Sequence, residues 1–79
     1  MLEDIIMPRL GDASSDCWVE EWKKSAGDSV ELGEPICVVS IDKAAFDLES
    51  PYEGMLAEIL VEPQVIVPPG RVLARVQTG

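Results

Sequence analysis

The sequence predicts an all-β domain, a flattened barrel or sandwich of two four-stranded antiparallel sheets with internal pseudo-twofold symmetry. Short apolar runs rich in Val, Ile and Leu alternate with Gly and Pro turns along all 79 residues, as in strands joined by tight turns. From Cys17 onward, the two halves align without a gap when one is shifted by 37 residues, which places Gly33 on Gly70. Neither half is long enough to bury its own apolar face, so the sequence predicts two interlocked halves around one core.

The repeat predicts which side chains of the last long strand in each half face the core. The positions expected to face inward are Cys37, Val39, Ala74 and Val76. The positions expected to face outward are Val38, Ser40, Arg75 and Gln77. Gly33 and Gly70 fall at equivalent turns, where we expect positive φ.

The apolar alternation is less regular between Val19 and Lys24, where Glu20 aligns with Ala57. A β-bulge is one explanation, because a bulge inserts one residue and shifts the alternation. A short helix over residues 19–26 is the competing interpretation. The aligned segment, residues 56–63, has the composition of a strand, and this weakens the helix.

The symmetry is broken near the N-terminus. Met7-Pro8 matches Ser50-Pro51 at an offset of 43, so six additional residues precede Cys17. The additional segment, residues 9–16, is polar and contains glycine, as expected of a surface loop. The position equivalent to Lys43 would be residue 80, so we expect the chain ends to lie opposite the Lys43 turn.

Lys43 lies where two apolar runs, residues 35–39 and 45–51, meet across a short polar break. So short a break predicts a tight hairpin, and Asp42 tolerates the left-handed backbone that such turns need. This geometry would lift the Lys43 amine away from other groups. A lysine at such a tip is better placed to be modified than to act as a catalyst.

Composition excludes several other classes of function. The net charge of −9 disfavours nucleic acids and anionic membranes, and Lys23-Lys24 is expected to be a solvated edge. The chain has no histidine, no Gly-rich phosphate loop and no metal-ligand spacing, so we expect neither catalysis nor a metal site. The two cysteines are expected to be reduced, with Cys37 buried in a strand. With no signal-peptide pattern and no membrane-length apolar run, we expect a cytoplasmic or mitochondrial-matrix location, not secretion.

The chain resembles the lipoyl domains of the acyltransferase components of 2-oxo acid dehydrogenase complexes, and residues 1–79 are expected to form one such domain. The segments that carry the resemblance are Ile6-Met7-Pro8, Leu10-Gly11-Asp12, Val19, Glu21-Trp22, Gly27-Asp28-Ser29-Val30, Gly33, Asp42-Lys43-Ala44, Glu49-Ser50-Pro51, Gly54 and Gly70. An Asp-Lys-Ala tripeptide alone is a weak signal. Here the tripeptide lies at the predicted turn of a two-fold repeat that also has the glycines named above, and this combination is a specific signal for the family.

The resemblance implies that Lys43 carries lipoate in amide linkage and acts as a swinging arm. Asp42 and Ala44 would be recognised by the lipoate-attaching enzyme, although Asp42 can equally be a good turn residue. The arm would take an acyl group and two electrons from a thiamine-diphosphate-dependent 2-oxo acid decarboxylase. It would pass the acyl group to coenzyme A at the acyltransferase catalytic domain, and dihydrolipoamide dehydrogenase would reoxidise it. The domain itself would be a carrier and not an enzyme.

The loop that breaks the symmetry is the predicted surface for partner recognition. The residues assigned to it are Leu10, Gly11, Asp12, Ser14, Ser15 and Asp16. The alternative is a surface insertion without a role in binding.

Other functions stay open at this point. Biotin carrier domains share the fold, but typically place methionine on both sides of the modified lysine. The glycine-cleavage carrier protein is also lipoylated but is longer. An unmodified β-sandwich interaction module is the alternative from another class. The chain departs from the usual lipoyl pattern at Cys17, at Ile41 and over residues 62–65. The sequence does not identify which 2-oxo acid the complex oxidises. Residues 1–79 can be either a whole protein or one domain of a longer chain.

Overall fold

The computed structural model describes residues 1–9, 16–41 and 44–79, and these residues form eight β-strands. In chain order they are β1 (Leu2–Ile6), β2 (Cys17–Trp22), β3 (Ser29–Val30), β4 (Pro35–Ile41), β5 (Ala44–Glu49), β6 (Gly54–Ile59), β7 (Ile66–Val67) and β8 (Val72–Gln77). Their Val- and Ile-rich composition suits a pleated, half-buried surface.

The strands form two four-stranded sheets, ordered β1-β8-β6-β3 and β5-β4-β2-β7, and every pairing is antiparallel. The predicted fold class is therefore confirmed. The 37-residue shift carries β2, β3 and β4 onto β6, β7 and β8, so the two sheets have equivalent orders. β3 lies in the sheet of the second half and β7 in that of the first, which interlocks the halves as predicted.

The irregular alternation near Glu20 is a β-bulge. The register between β2 and β4 shifts between Val19 and Glu21, and the register between β6 and β8 shifts at the equivalent place, between Leu56 and Glu58. The competing helix is excluded, because β2 pairs with β4 from Cys17 to Trp22. The aligned segment, residues 56–63, is strand only in its first part. This strand, β6, ends at Ile59, before a turn that contains Pro63.

One apolar core lies between the sheets. Its largest fully buried side chains are Ile5, Met7, Val19, Ile36, Val39, Leu56, Leu73 and Val76. All four positions predicted to face inward are buried, whereas Val38 and Arg75 are half-buried and Gln77 is exposed, as expected. Ser40 also lies on the outward face, as its pairing with Trp18 shows, but only 6% of its surface is exposed.

The burial of Ser40 has a simple cause. Its register partner across the sheet is Trp18, so both side chains lie on the outer face. The Ser40 hydroxyl lies 3.5 Å from the Glu20 carboxylate. A small hydroxyl between two larger side chains is covered by them, although it points away from the core.

The turn glycines adopt the expected backbone. Gly33 has φ 82° and Gly70 has φ 91°. The amide of Gly33 donates to the Ser50 carbonyl, and the amide of Gly70 donates to the Met7 carbonyl, each at 2.8 Å. These matched bonds confirm the equivalence of Met7 and Ser50 that the sequence predicted.

Candidate functional site

The strands on both sides of Lys43 pair with each other in one antiparallel ladder, whose register shifts once, between Pro35 and Cys37. β4 and β5 pair from Pro35 and Glu49 at one end to Ile41 and Ala44 at the other. The two strands predicted to flank the lysine are confirmed. Asp42 and Lys43 connect these strands in the sequence and lie outside the described residues, so the position of the amine stays a prediction.

The surface next to this connection is small and open. Ile41 faces the core with 8% of its surface exposed, whereas Ala44 is exposed. β5 is the end strand of its sheet, and its first four residues are all exposed. A group attached between the two strands therefore has only methyl side chains beside it at the start of β5. This arrangement fits a long covalently attached arm.

Cys17 lies beside this end of the sheet. It pairs with Ile41 on one side and with Val67 on the other, and its thiol donates to the Val67 carbonyl at 2.9 Å. Burial raises the pKa of the Cys17 thiol, and the neighbouring Asp16 carboxylate raises it further. Both cysteines of the chain are buried free thiols, as expected. The position of Cys17 suits packing and not nucleophilic chemistry.

Of the residues assigned to partner recognition, only Asp16 is described. It is exposed and directly precedes β2, so it leaves the sheet at the end where Cys17 pairs with Ile41. The other five residues, Leu10, Gly11, Asp12, Ser14 and Ser15, lie outside the described residues. Among the residues assigned to the lipoate-attaching enzyme, Ala44 is exposed at the start of β5.

Sequence reasoning missed a polar network on the outer face of the same sheet. One oxygen of the Glu20 carboxylate accepts from Trp18 Nε1 at 2.7 Å and from Gln64 Nε2 at 3.2 Å. Gln64 Nε2 also donates to the Glu20 carbonyl at 2.9 Å. The sequence held one signal for this network, because Gln64 aligns in the repeat with Gly27, a residue type common at turns with positive φ. Among the described residues, Gln64 is the one non-glycine with positive φ, at 70°.

The chain ends lie away from the Lys43 connection, as expected. The backbones of Met1 and Thr78 bond to each other, and Gln77 borders Gly54. Gly54 lies four residues after Ser50, whose amide bonds to Glu34 at the start of β4. Ile41, at the far end of β4, is six residues beyond Pro35, the first residue of the strand, or roughly 20 Å.

The described lysines outside this connection are engaged in ion pairs. Lys23 lies 3.2 Å from Asp47, and Lys24 lies 2.9 Å from Glu34. The bond to Glu34 raises the pKa of Lys24 and lowers the pKa of Glu34. Lys23-Lys24 therefore does not form an open basic surface.

Within 1–9, 16–41 and 44–79, no group of three or more His, Cys, Asp or Glu side chains is arranged to hold a metal ion. The same ranges contain no helix with the length and apolar character needed to cross a membrane.

The chain was compared with known families and curated proteins. Residues 3–76 match the biotin–lipoyl family model, which is described as biotin-requiring enzyme. The chain is 38% identical over 73 residues to the dihydrolipoyllysine-residue acetyltransferase component of the pyruvate dehydrogenase complex of Corynebacterium glutamicum. It is 39% identical over 72 residues to the component of the same name in Mycobacterium bovis. It is 39% identical over 70 residues to the dihydrolipoyllysine-residue acetyltransferase component of the acetoin cleaving system of Bacillus subtilis.

These alignments cover most of the chain and little of each relative. They span 92%, 91% and 89% of the chain, but 11%, 13% and 18% of the respective relatives. The similarity thus concerns one small part of each of these larger proteins.

Proposed function

The chain belongs to the biotin–lipoyl family, a family of carrier domains to which lipoate or biotin is attached, and we propose that it carries lipoate on Lys43. The domain would move acyl groups and electrons between the active sites of a 2-oxo acid dehydrogenase complex. The observation that carries this proposal is the convergence of β4 and β5 at Ile41 and Ala44, with Lys43 between them in the sequence.

The choice of lysine rests on the surroundings of the alternatives. Lys23 and Lys24 directly follow the end of β2, and each holds a carboxylate in an ion pair. Lys43 follows the end of one strand and precedes the exposed start of the next. An attaching enzyme must enclose a lysine side chain, so a lysine between two strand ends is the more accessible substrate.

The choice of lipoate over biotin rests on two supports. The residues next to Lys43 are Asp42 and Ala44, whereas biotin carrier domains typically have methionine on both sides. The relatives described above are named as dihydrolipoyllysine-residue acetyltransferases. We therefore assign biotin as the second candidate.

The domain contributes position and reach to the chemistry. When bound, lipoate supplies a dithiolane that carries an acyl group and two electrons by thiol–disulfide exchange. Amide formation removes the charge of the Lys43 amine, so the arm bears no cation into a partner's active site. A tether raises the effective concentration of the carried group at each partner.

Four partners follow from this cycle. They are a lipoate-attaching enzyme, a thiamine-diphosphate-dependent 2-oxo acid decarboxylase, an acyltransferase catalytic domain and dihydrolipoamide dehydrogenase. The net charge of −9 suits recognition by basic partner surfaces. The relatives include components of a pyruvate dehydrogenase complex and of an acetoin cleaving system.

The test is the intact mass of the protein produced in a lipoylating host, followed by peptide mapping. We expect one lipoyl adduct, on Lys43. Lys43→Gln should abolish the adduct and change the free energy of unfolding by no more than about 0.5 kcal/mol, as at other turn positions. Lys23→Gln is the matched control and should be loaded normally. A biotin mass, or an adduct on another lysine, would contradict the assignment.

A further inference from the structure

A single row of side chains crosses the outer face of the sheet that contains β4 and β5. The register pairs Ile66 with Trp18, Trp18 with Ser40, and Ser40 with Ala45, so the four residues lie side by side on four strands. We call Ile66, Trp18, Ser40 and Ala45 the outer row. It lies one residue inside the strand ends that flank Asp42 and Lys43.

The outer row is apolar and open to solvent. Ile66 is 61% exposed, Ala45 is exposed and Trp18 is half-buried. The one polar member, Ser40, is covered by its neighbours. An apolar strip of this kind gains free energy when a further apolar group covers it.

Trp18 is held in place before anything binds. Its Nε1 donates to the Glu20 carboxylate at 2.7 Å, and Gln64 Nε2 holds the same carboxylate at 3.2 Å and the Glu20 carbonyl at 2.9 Å. These bonds fix the indole on the sheet surface. A ring that is already ordered loses little further rotamer freedom when another group packs on it.

The pseudo-twofold repeat supplies a comparison within the same molecule. Shifting by the repeat, the counterpart row on the other sheet consists of Ser29, Met55, Gln77 and Leu2. Ser29 replaces Ile66, and a flexible methionine replaces the fixed indole. Leu2 replaces Ala45. The backbone is equivalent in the two rows, so the fixed indole with a β-branched isoleucine beside it is particular to the sheet that bears the lysine connection.

We propose that the outer row is a resting site for this chain's own lipoyl arm, which folds back from Lys43 and packs its hydrocarbon chain and dithiolane against Trp18 and Ile66. The inference rests on the proposed attachment of lipoate to Lys43. It concerns where the arm lies between visits to partner enzymes.

The length of the lipoyl arm and its chemical groups both suit the outer row. Ala45 is two residues from Lys43, and Trp18 lies two strands from Ala45, roughly 10 Å across the sheet. An extended lysine side chain with the lipoyl chain covers that distance. Sulfur atoms pack favourably against aromatic rings. The tether holds the arm at a millimolar effective concentration, so even a weak contact is populated.

The first test compares NMR spectra of the lipoylated and unmodified protein, with loading verified by intact mass. We expect nuclear Overhauser effects from the dithiolane and chain protons to the Trp18 indole and the Ile66 methyl groups. Leu2 and Met55, in the counterpart row, should show none. Unchanged Trp18 and Ile66 resonances on loading would overturn the proposal.

The second test measures how fast a water-soluble phosphine reduces the oxidised dithiolane. Ile66→Ser copies the counterpart residue Ser29, and Leu2→Ser is the matched control at a residue that is 51% exposed. If the arm rests on the row half of the time, the Ile66 variant should be reduced about twofold faster than wild type, and the Leu2 variant at the wild-type rate. Equal rates in both variants would overturn the proposal.

The outcomes separate the two proposals. A protein that is lipoylated on Lys43 but shows neither effect overturns the resting site alone. A protein with biotin, or with an adduct elsewhere, overturns the proposed function and the resting site together.

Discussion

Gln64 takes the left-handed backbone conformation that Gly27 takes in the first half of the repeat, with φ 70° against 99°. The amide of Gln64 donates to the Val19 carbonyl at 2.9 Å, and the amide of Gly27 donates to the Leu56 carbonyl at 2.7 Å. The two turns are thus equivalent in conformation and in bonding. The Gln64 side chain donates hydrogen bonds to Glu20, and these bonds offset the free-energy cost of the left-handed backbone.

This pair leads to a prediction about stability. Gln64→Ala keeps the unfavourable φ and removes the side-chain bonds, whereas Gln64→Gly removes both. We expect the glycine variant to be more stable than the alanine variant by about 1 kcal/mol, measured by urea unfolding. Gly27→Ala, which introduces a Cβ at the equivalent turn, should lose a similar amount. Equal stability of the two Gln64 variants would mean that the turn is unstrained.

Gly54 is expected to be the glycine least tolerant of substitution. A Cβ at this residue would overlap the carbonyl oxygen of Gln77, and its φ of 154° also disfavours L side chains. Gly54→Ala should therefore destabilise the domain by about 2–4 kcal/mol, because backbone must move. Gly33→Ala is the control: it meets no atom within 4 Å, and its φ of 82° should cost only about 1–2 kcal/mol. Thermal unfolding of both variants would distinguish steric overlap from strain alone.

The buried thiol of Cys37 predicts a loss of stability in alkaline solution. Burial raises the pKa of Cys37 from 9.0 to about 12. Below pH 9 the thiol is neutral in both states. Between pH 9 and about 12 only the unfolded state releases the proton, so stability falls as the pH rises, by up to about 1.4 kcal/mol per pH unit from this group. Cys37→Ala should be less stable at neutral pH but should lose less between pH 9 and 11. Parallel curves for both proteins would contradict the assignment.

The loop over residues 9–16 yields a prediction about partner recognition. We expect shortening it to the two-residue length that follows Pro51 to preserve the fold and lipoylation. The equivalent strands β5 and β6 also belong to different sheets, and the short segment 50–53 is enough to join them. Reductive acylation by the cognate decarboxylase should slow, because Asp16 leaves the sheet beside the lysine connection. The measurement is the acylation rate of lipoylated wild type and variant. An unchanged rate would place recognition elsewhere, for example on the acidic surface.

The parts of the fold that were predictable are those that the repeat encodes. Aligning Cys37 with Ala74 and Val39 with Val76 predicted which faces are buried, because both copies follow the same two-residue period. Gly33 and Gly70 predicted their turns because few other residues adopt positive φ readily.

The parts that were not predictable depend on contacts between distant segments. The burial of Ser40 depends on Trp18 and Glu20, which belong to the neighbouring strand. The hydrogen bonds from Gln64 to Glu20 require the turn before β7 to lie beside β2, 44 residues away in the chain. The alternation of apolar residues within one segment does not reveal which other segments pack beside it. Lys43, by contrast, could be proposed from the sequence because its signal is local: one lysine between two strand-forming runs.

The crossed placement of β3 and β7 has a consequence for how the chain is made. The sheet that bears the lysine connection draws three strands from the first 49 residues and its fourth from Ile66–Val67. A nascent chain therefore cannot complete that sheet until Val67 has left the ribosome. If the proposed attachment of lipoate requires the complete sheet, loading would follow synthesis of nearly the entire domain.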